Sequence, residues 1–269
     1  MEVKVLDRVG EVLREVAAAV VMPRFAALSP GDIKVKSVNE PVTIADREAE
    51  AIIGRDLLAL IPHARIVGEE ACAADPELVD HLGDGTVWII DPIDGTANFA
   101  AGRPPFAMMV ALLHNGETIG SWILDPMSDR LAVAQLGGGA WIDGERLRAS
   151  TSTIDLDRLC GIVSTAFLPE PQRGLVDRLR AAVGQTCPTA RCAGHEYPLV
   201  ASGTRHFALY WRTLVWDHAP GALLLTEAGG SVTHLDGAPY HPSRARTGLL
   251  LTHNPLISMG LLSSIAQRA

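Results

Sequence analysis

The N-terminal part of the chain contains two segments whose apolar residues recur at helical spacing. In the first, residues 3 to 22, they recur every three or four positions, which predicts an amphipathic helix. Pro23 ends this pattern, because proline cannot continue an α-helix. A second helix is predicted over residues 44 to 60, with Thr43 as its N-cap. The apolar positions of the first helix are Leu6, Val9, Leu13, Val16 and Val20.

From residue 86 onward, short apolar runs separated by turn residues predict a β-sheet. Runs over 106–113 and 119–124 flank a His-Asn-Gly-Glu segment that is typical of a hairpin turn. Two further strands are predicted over 131–135 and 140–142, because glycine-rich turns separate them.

In the second half of the chain, strand-like and helix-like segments alternate. Gly229-Gly230 predicts the end of one helix, and Asn254-Pro255 predicts the start of the last one. Helices and strands are mixed in both halves, and we place a seam near residues 145 to 155. The predicted units are an N-terminal lobe, 1–148, and a C-terminal lobe, 149–269, in one compact catalytic unit. The predicted elements are strands 161–164, 207–210 and 249–252, and helices 172–183, 195–202 and 216–228.

Composition narrows the class of protein. The 269 residues are 48% hydrophobic, which suffices for a large core. Asp and Glu outnumber Lys and Arg, 31 to 23, which gives a net charge of −8. A chain with this charge is not expected to bind nucleic acid non-specifically. We predict a cytoplasmic protein with reduced thiols, since the four cysteines show no CxxC spacing and the acidic N-terminus is unlike a signal peptide. No apolar run approaches the length of a membrane span.

The most informative segment is an apolar run, residues 87 to 90, followed by Asp91-Pro92-Ile93-Asp94-Gly95-Thr96. Asp-Pro and Asp-Gly are common turn dipeptides, and a turn is the simplest interpretation. It does not explain why a buried strand should end in two carboxylates that repel each other. Mg²⁺ prefers carboxylate oxygens, and phosphate prefers N–H donors such as those of a Gly-Thr turn. The segment therefore favours phosphate chemistry with a cation.

Three other acidic positions have simpler local interpretations. Glu69 follows a strand-like run, where most acids are solvated loop residues. Asp217 lies at the start of the predicted helix 216–228, just before its residues 219–228, and N-capping is a frequent role for Asp there. Asp46 stands three residues after Thr43, which is a capping-box spacing.

Together, these segments resemble the inositol monophosphatase family. The resemblance rests on Glu69, on the block from Asp91 to Thr96 with Asn98-Phe99, and on Trp216-Asp217 followed by Glu227-Ala228-Gly229-Gly230, and it spans essentially the whole chain. It implies an α/β fold of alternating helix and sheet layers (αβαβα) and a homodimer. It also implies phosphomonoester hydrolysis that depends on two or three Mg²⁺ ions and is sensitive to lithium.

The resemblance also assigns the metal ligands. Glu69, Asp91 and Asp94 would bind Mg²⁺, with an added oxygen from the Ile93 carbonyl. Asp91 would bridge two ions, and Asp217 would complete the second site. These ions would neutralise charge on the phosphoryl group and lower the pKa of an attacking water.

Other roles follow from the same resemblance. Gly95 and Thr96 match a phosphate-binding turn. The Thr96 hydroxyl would pair with Asp46 and orient the attacking water, and Asp46 would contact a third, weaker ion through water. Lys36 matches a lysine that faces the site, although a surface lysine is an equal alternative. His218 is interpreted as structural or substrate-facing rather than as a general base, because the metal already activates water.

The alcohol side of the pocket departs from the family. Inositol-cleaving members carry an acid shortly before Trp-Asp, but residues 208 to 215 contain none. We predict leaving-group contacts from His195, Glu196, Arg212 and Tyr210, with ordinary packing as the alternative for each. Arg212 suggests a second anionic group on the substrate. The predicted substrate is a small phosphorylated alcohol such as inositol monophosphate. Alternatives are histidinol phosphate, a nucleotide 3′-phosphate, a sugar bisphosphate, or a regulatory role that retains the fold.

Overall fold

The computed structural model describes residues 3–37, 40–150 and 155–266, which form alternating layers of helix and sheet. The helices are α1 (Val3–Val16), α2 (Ile44–Leu60), α3 (Glu69–Ala74), α4 (Thr96–Ala100), α5 (Arg173–Ala182), α6 (Ala193–Ala201), α7 (Val215–Glu227) and α8 (Pro255–Ala266). The strands are β1 (Ile33–Ser37), β2 (Glu40–Thr43), β3 (Arg65–Gly68), β4 (Thr86–Asp94), β5 (Ala107–His114), β6 (Glu117–Asp125), β7 (Arg130–Gln135), β8 (Gly139–Ile142), β9 (Glu145–Arg146), β10 (Cys160–Val163), β11 (Gln185–Pro188), β12 (Phe207–Tyr210), β13 (Ser231–His234) and β14 (Leu249–Thr252).

The larger sheet has the strand order β3-β4-β5-β6-β7-β8-β9. Its first pair is parallel and the others are antiparallel. Successive side chains of β5 alternate between two cores: Met108 and Val110 pack with α1 and α2, and Met109 packs with α6 and α7. Because helices cover both faces, β5 is an unbroken apolar run rather than an alternating one.

The smaller sheet has the order β11-β10-β12-β14-β13, in which β10, β11 and β12 are parallel. Helices α6 and α7 lie between the two sheets, and Tyr197 and Leu223 are buried in a core with residues of both. Leu179 of α5 and Leu261 of α8 pack on the outer face of the smaller sheet. The layers therefore run helix, sheet, helix, sheet, helix, as expected.

Most predicted elements are present with slightly shifted ends, and α2 has the predicted bounds. The N-terminal helix differs, because α1 ends at Val16 and the chain continues as a π-helical segment, Ala17–Val21, and a 3₁₀ turn, Met22–Arg24, that contains Pro23. The β1–β2 hairpin, β11 and β13 were not predicted. The division at residue 148 remains a prediction, and residues 151–154 of the proposed seam lie outside the described residues. Within the described ranges, no helix has both the length and the apolar character needed to cross a membrane.

Candidate metal and phosphate site

A bulge in β4 brings the carboxylates of Asp91 and Asp94 to the same face of the larger sheet. Asp91 is opposite Met109 and Asp94 is opposite Ala107, so three steps along β4 match two steps along β5. In a regular strand, residues three apart point to opposite faces, and one extra residue cancels that difference. Pro92 lies in this bulge, where its missing N–H disrupts no ladder hydrogen bond.

Asp217 approaches the same place from the middle helical layer. Helix α7 begins at Val215 after Leu214, whose side chain makes no capping bond, and Asp217 lies in the first turn. The interpretation of Asp217 as an N-cap is therefore wrong, because the helix starts two residues before it. Asp91, Asp94 and Asp217 each offer an oxygen within 4.8 Å of the others.

Burial makes these carboxylates costly to ionise together. It raises the pKa of Asp94 to about 7, although a hydrogen bond from the Gly194 N–H opposes the shift. It also raises the pKa of Asp91 well above its ordinary value, and the neighbouring charges of Glu69 and Asp94 add to the effect. Such a cluster stays ionised at neutral pH when a cation neutralises it.

One atom supports a cation directly. Asp91 Oδ1 is fully buried and has no hydrogen-bond partner among the described residues. A buried carboxylate oxygen without a partner is costly, and metal ligation is one way to satisfy it. The oxygen-only donor set of three carboxylates suits Mg²⁺ better than a soft transition metal. The residues present therefore fit the ion that the sequence predicts.

Glu69 lines the same cleft at the first position of the short helix α3. The side chain that holds this helix, Glu50, was missed by the sequence analysis. Its buried carboxylate accepts the N–H groups of Glu70 at 2.7 Å and Ala71 at 2.9 Å. A Cβ at Gly68 would lie 2.2 Å from the Glu50 carboxyl carbon, so glycine is needed there. The available signal was the spacing, because Glu50 lies one helical turn after Asp46.

We expect Glu50→Gln to raise the Mg²⁺ concentration that gives half-maximal activity by about 10- to 100-fold, the usual cost of losing a residue that orients a metal ligand. The amide places an NH₂ group where one of the two N–H donors now finds an oxygen. Activity titrated with Mg²⁺ measures the effect, and circular dichroism checks the fold. Glu48→Gln on the same helix is the matched control, because that residue is partly exposed and pairs with Arg24. Equal Mg²⁺ dependence of the two variants would contradict the positioning role.

Gly95 and Thr96 form a tight turn at the end of β4. Gly95 has φ +86°, and a Cβ there would lie 3.0 Å from the carbonyl oxygen of Pro105, so the turn requires glycine. The Thr96 hydroxyl lies 2.9 Å from the Ile93 carbonyl oxygen and 3.3 Å from Asp46 Oδ1. The predicted contact between Thr96 and Asp46 is therefore present.

Asp46 also serves as the capping residue that its spacing predicts. Its Oδ2 accepts the Thr43 N–H at 2.7 Å and the Thr43 hydroxyl at 2.5 Å. Burial raises the pKa of Asp46 to about 7, while these two hydrogen bonds oppose the shift. One oxygen thus fixes the start of α2, and the other faces Thr96.

The chain is similar to known proteins in both sequence and structure. A sequence model of the inositol monophosphatase family matches residues 2–267. The chain belongs to the inositol monophosphatase family. An inositol-1-monophosphatase from Rhizobium meliloti is 34% identical over 217 residues, 79% of each chain. A putative Nus factor SuhB from Neisseria meningitidis is 30% identical over 237 residues, 86% of each chain. The inositol monophosphatase structure from Thermotoga maritima superimposes with a TM-score of 0.80 at 26% identity, covering 97% of this chain and 96% of that one.

In this inositol monophosphatase family member, the acid cluster lies in a cleft of about 470 Å³ whose lining includes Arg212. His195 and Glu196 do not line that cleft, so the predicted leaving-group contacts of these two residues are not supported. Consecutive residues on a helix point about 100° apart. As a result, His195 is exposed while Glu196 is buried and accepts hydrogen bonds from Thr189 and Tyr210. Lys36 belongs to β1, and its side chain lies outside the described part of the structure.

His218 is buried beside the cleft, and both of its ring nitrogens are engaged. The Arg212 carbonyl can only accept, so Nε2 carries the proton and donates to it at 3.1 Å. Nδ1 then accepts from the Tyr197 hydroxyl at 3.0 Å. Burial lowers the pKa of His218 to about 4, so the ring is neutral. This arrangement supports the structural interpretation of His218 in this family member.

Proposed function

We propose that this chain is a Mg²⁺-dependent phosphomonoesterase that hydrolyses a small phosphorylated alcohol such as inositol monophosphate. The observation that carries the proposal is the convergence of Asp91, Asp94 and Asp217 from β4 and α7, with their oxygens within 4.8 Å of one another. This cluster adjoins the Gly95-Thr96 turn, whose N–H groups suit a phosphate. Membership of a phosphatase family supports the same chemistry.

Two or three Mg²⁺ ions would be held by Glu69, Asp91, Asp94, Asp217 and the Ile93 carbonyl. When bound, they would neutralise charge on the phosphoryl oxygens and acidify a water molecule. In this scheme Gly95 and Thr96 bind the phosphate. Lithium sensitivity belongs to the same proposal, because Li⁺ would compete for one of these oxygen sites.

In this proposal Thr96 and Asp46 orient the attacking water. The Thr96 hydroxyl has one proton and two acceptors, the Ile93 carbonyl and Asp46. When it donates to Asp46, its lone pairs can accept a hydrogen bond from water and fix the direction of attack. Asp46 is suited to this task because Thr43 already holds its other oxygen.

The experiment is phosphate release from a panel, with Mg²⁺ and with chelator. The panel contains inositol 1-phosphate, glycerol 2-phosphate, histidinol phosphate, fructose 1,6-bisphosphate and adenosine 3′,5′-bisphosphate. We expect release from at least one substrate, and we expect chelator to abolish it. Release that persists in chelator, or none from any substrate although Mg²⁺ binds, would refute the proposal.

A binding role is the second candidate, because relatives named Nus factor SuhB match most of the chain. The homodimer and the cytoplasmic location remain proposals as well, and sedimentation would test the first. With a net charge of −8, a protein partner suits the chain better than nucleic acid. An Asp91→Asn variant that lost phosphatase activity but still bound such a partner would separate the two functions.

A further inference from the structure

A buried carboxylate, Glu196, has no role in the proposed reaction. It lies in the first turn of α6 and is 1% exposed. Burial raises the pKa of Glu196, while hydrogen bonds from Tyr210, Thr189 and Ala190 oppose the shift. These donors are two hydroxyls and a backbone N–H, all of them neutral. A carboxylate in the core carries a large desolvation cost, so the segments that its hydrogen bonds join indicate its role.

The Glu196 carboxylate joins two segments that line the cleft. Its Oε1 accepts the Thr189 hydroxyl at 2.8 Å and the Ala190 N–H. Its Oε2 accepts the Tyr210 hydroxyl. Ala190 follows β11 and Tyr210 ends β12, on opposite sides of β10 in the smaller sheet. Because these three strands are parallel, the carboxylate spans their carboxyl ends at the edge of the sheet that faces the cleft.

The backbone of Ala190 is also held by a side chain on the opposite side, that of Asn98. Asn98 is 5% exposed and belongs to α4, the short helix that begins directly after Gly95. Its Nδ2 donates to the Ala190 carbonyl at 2.9 Å and to the Pro105 carbonyl at 2.8 Å. The Ala190 N–H is bound by Glu196 and the Ala190 carbonyl by Asn98, so a continuous chain of hydrogen bonds runs from α6 to α4.

The connection from β11 to α6, residues 189–192, lies against the phosphate-binding turn. A Cβ at Gly95 would lie 3.2 Å from Cys192 Cβ, so the two segments are in close contact. At the start of α6, the Gly194 N–H donates to Asp94 Oδ2 at 2.6 Å. A displacement of the connection would therefore reach both the turn and a proposed metal ligand.

We propose that Glu196 is a positioning residue for the Gly95-Thr96 turn. It acts through Ala190 and Asn98, which connect its carboxylate to the helix that begins at this turn. In this role the protein needs a hydrogen-bond acceptor at the Ala190 N–H rather than a negative charge, which separates positioning from a part in proton transfer. The inference rests on the proposed function, in which the turn binds the phosphoryl group.

Two substitutions of Glu196 separate these alternatives, with the Kd of inorganic phosphate measured by calorimetric titration in Mg²⁺. Glu196→Leu removes the acceptor, and we expect the Kd to rise at least about 10-fold, as loss of a charged hydrogen bond predicts. Glu196→Gln keeps an oxygen for Ala190, and its NH₂ can donate to the Tyr210 oxygen, so we expect a Kd within about 3-fold of the unmodified protein. A Gln variant as impaired as the Leu variant would show that charge matters and would overturn the positioning role.

Asn98→Ala tests the route to the turn, because it removes the second link and leaves Glu196 in place. We expect a similar rise in the phosphate Kd. The double variant with Glu196→Leu should bind hardly more weakly than either single variant, whereas independent effects would multiply. Multiplied effects would overturn the route through Ala190. If Glu196→Leu does not fold, unchanged phosphate affinity in Asn98→Ala would overturn it as well.

Hydrogen exchange tests the positioning without a ligand. The N–H groups of Asn98 and Phe99 donate to the Gly95 carbonyl at 2.8 and 3.1 Å. We expect both amides to exchange at least about 10-fold faster in Glu196→Leu, because loss of the chain of hydrogen bonds favours local opening of α4. Unchanged exchange would overturn the proposal.

Glu227→Leu is the matched control for both measurements. Its carboxylate accepts the N–H groups of Gly137 and Gly139 at 2.7 and 2.8 Å, and it does not line the cleft. Equal acceleration of exchange in α4 by the two Leu variants would indicate general destabilisation and would overturn the proposal. Exchange rates decide the positioning role whether or not the protein releases phosphate, and phosphate release with unchanged exchange would leave the phosphatase proposal intact.

Discussion

Asp91→Asn should lower kcat/KM by at least about a thousandfold, because ion-assisted stabilisation of the transition state is worth several kcal/mol and each 1.4 kcal/mol is tenfold. Asp91 is the most enclosed carboxylate of the cluster, and its free oxygen is the clearest position for a cation. Phosphate release at saturating Mg²⁺ measures the loss. Asp177→Asn on the exposed face of α5 is the control.

The same substitution should stabilise the protein when divalent ions are absent. An amide cannot ionise, so it avoids the free-energy cost that burial and the neighbouring charges of Glu69 and Asp94 impose on the Asp91 carboxylate, a gain of about 1–2 kcal/mol. For a chain of this size, that corresponds to an increase in Tm of about 2–8 °C in chelator. A variant that lost both activity and stability would indicate a structural role for Asp91 and would contradict the cation assignment.

The second prediction with a large expected effect concerns how much Mg²⁺ stabilises the folded protein at different pH values. The folded-state pKa values of Asp46 and Asp94 are about 7, against 3.8 for an ordinary Asp. Between these values, the folded chain retains protons that the unfolded chain has released. The free energy of unfolding of the ion-free protein therefore falls as pH rises from about 4 to about 7, and the loss persists above that range.

Mg²⁺ needs ionised carboxylates and therefore competes with protons below pH 7. At pH 8, an ion at about 100 times its Kd should raise Tm by about 5–11 °C, from about 2.7 kcal/mol of binding energy. At pH 5 the shift should be under about 2 °C. Thermal melts with Mg²⁺ and with chelator at both pH values measure this difference. A Tm shift that did not change with pH would show that the cluster does not take up the ion.

The parts of the fold that the sequence predicts are those governed by local rules. Thr43 and the apolar spacing after it define α2 with the observed ends, because capping and periodicity act within the segment. The β1–β2 hairpin and β13 were missed because these strands are only four or five residues long: β1 does alternate apolar and polar residues, but Pro41 lies in β2, and β13 is mostly polar. Whether these segments form strands depends on the strands with which they pair.

Some features of the site can likewise be predicted from local sequence, and others depend on contacts between distant segments. Asp91 and Asp94 stand out in the sequence, but the bulge that brings them together depends on register with β5. Glu50 lies one helical turn after Asp46, but it acts on a helix that follows it by about one strand and a loop, so this spacing alone does not identify the N–H groups that it accepts. His195 and Glu196 could not be separated without knowing which face of α6 meets the core.

The position of α7 in the middle layer has a consequence for biosynthesis. The larger sheet is made of strands that are nearly consecutive in sequence, so it can assemble while the C-terminal half is still being translated. Until α7 arrives, Met109 and Ile123 lack the cover that they have in the finished molecule, and Asp217 is absent from the cluster. On the proposed metal assignment, Mg²⁺ would therefore act late, by securing the docking of α7, and we expect the nascent half-molecule to be the stage most exposed to aggregation.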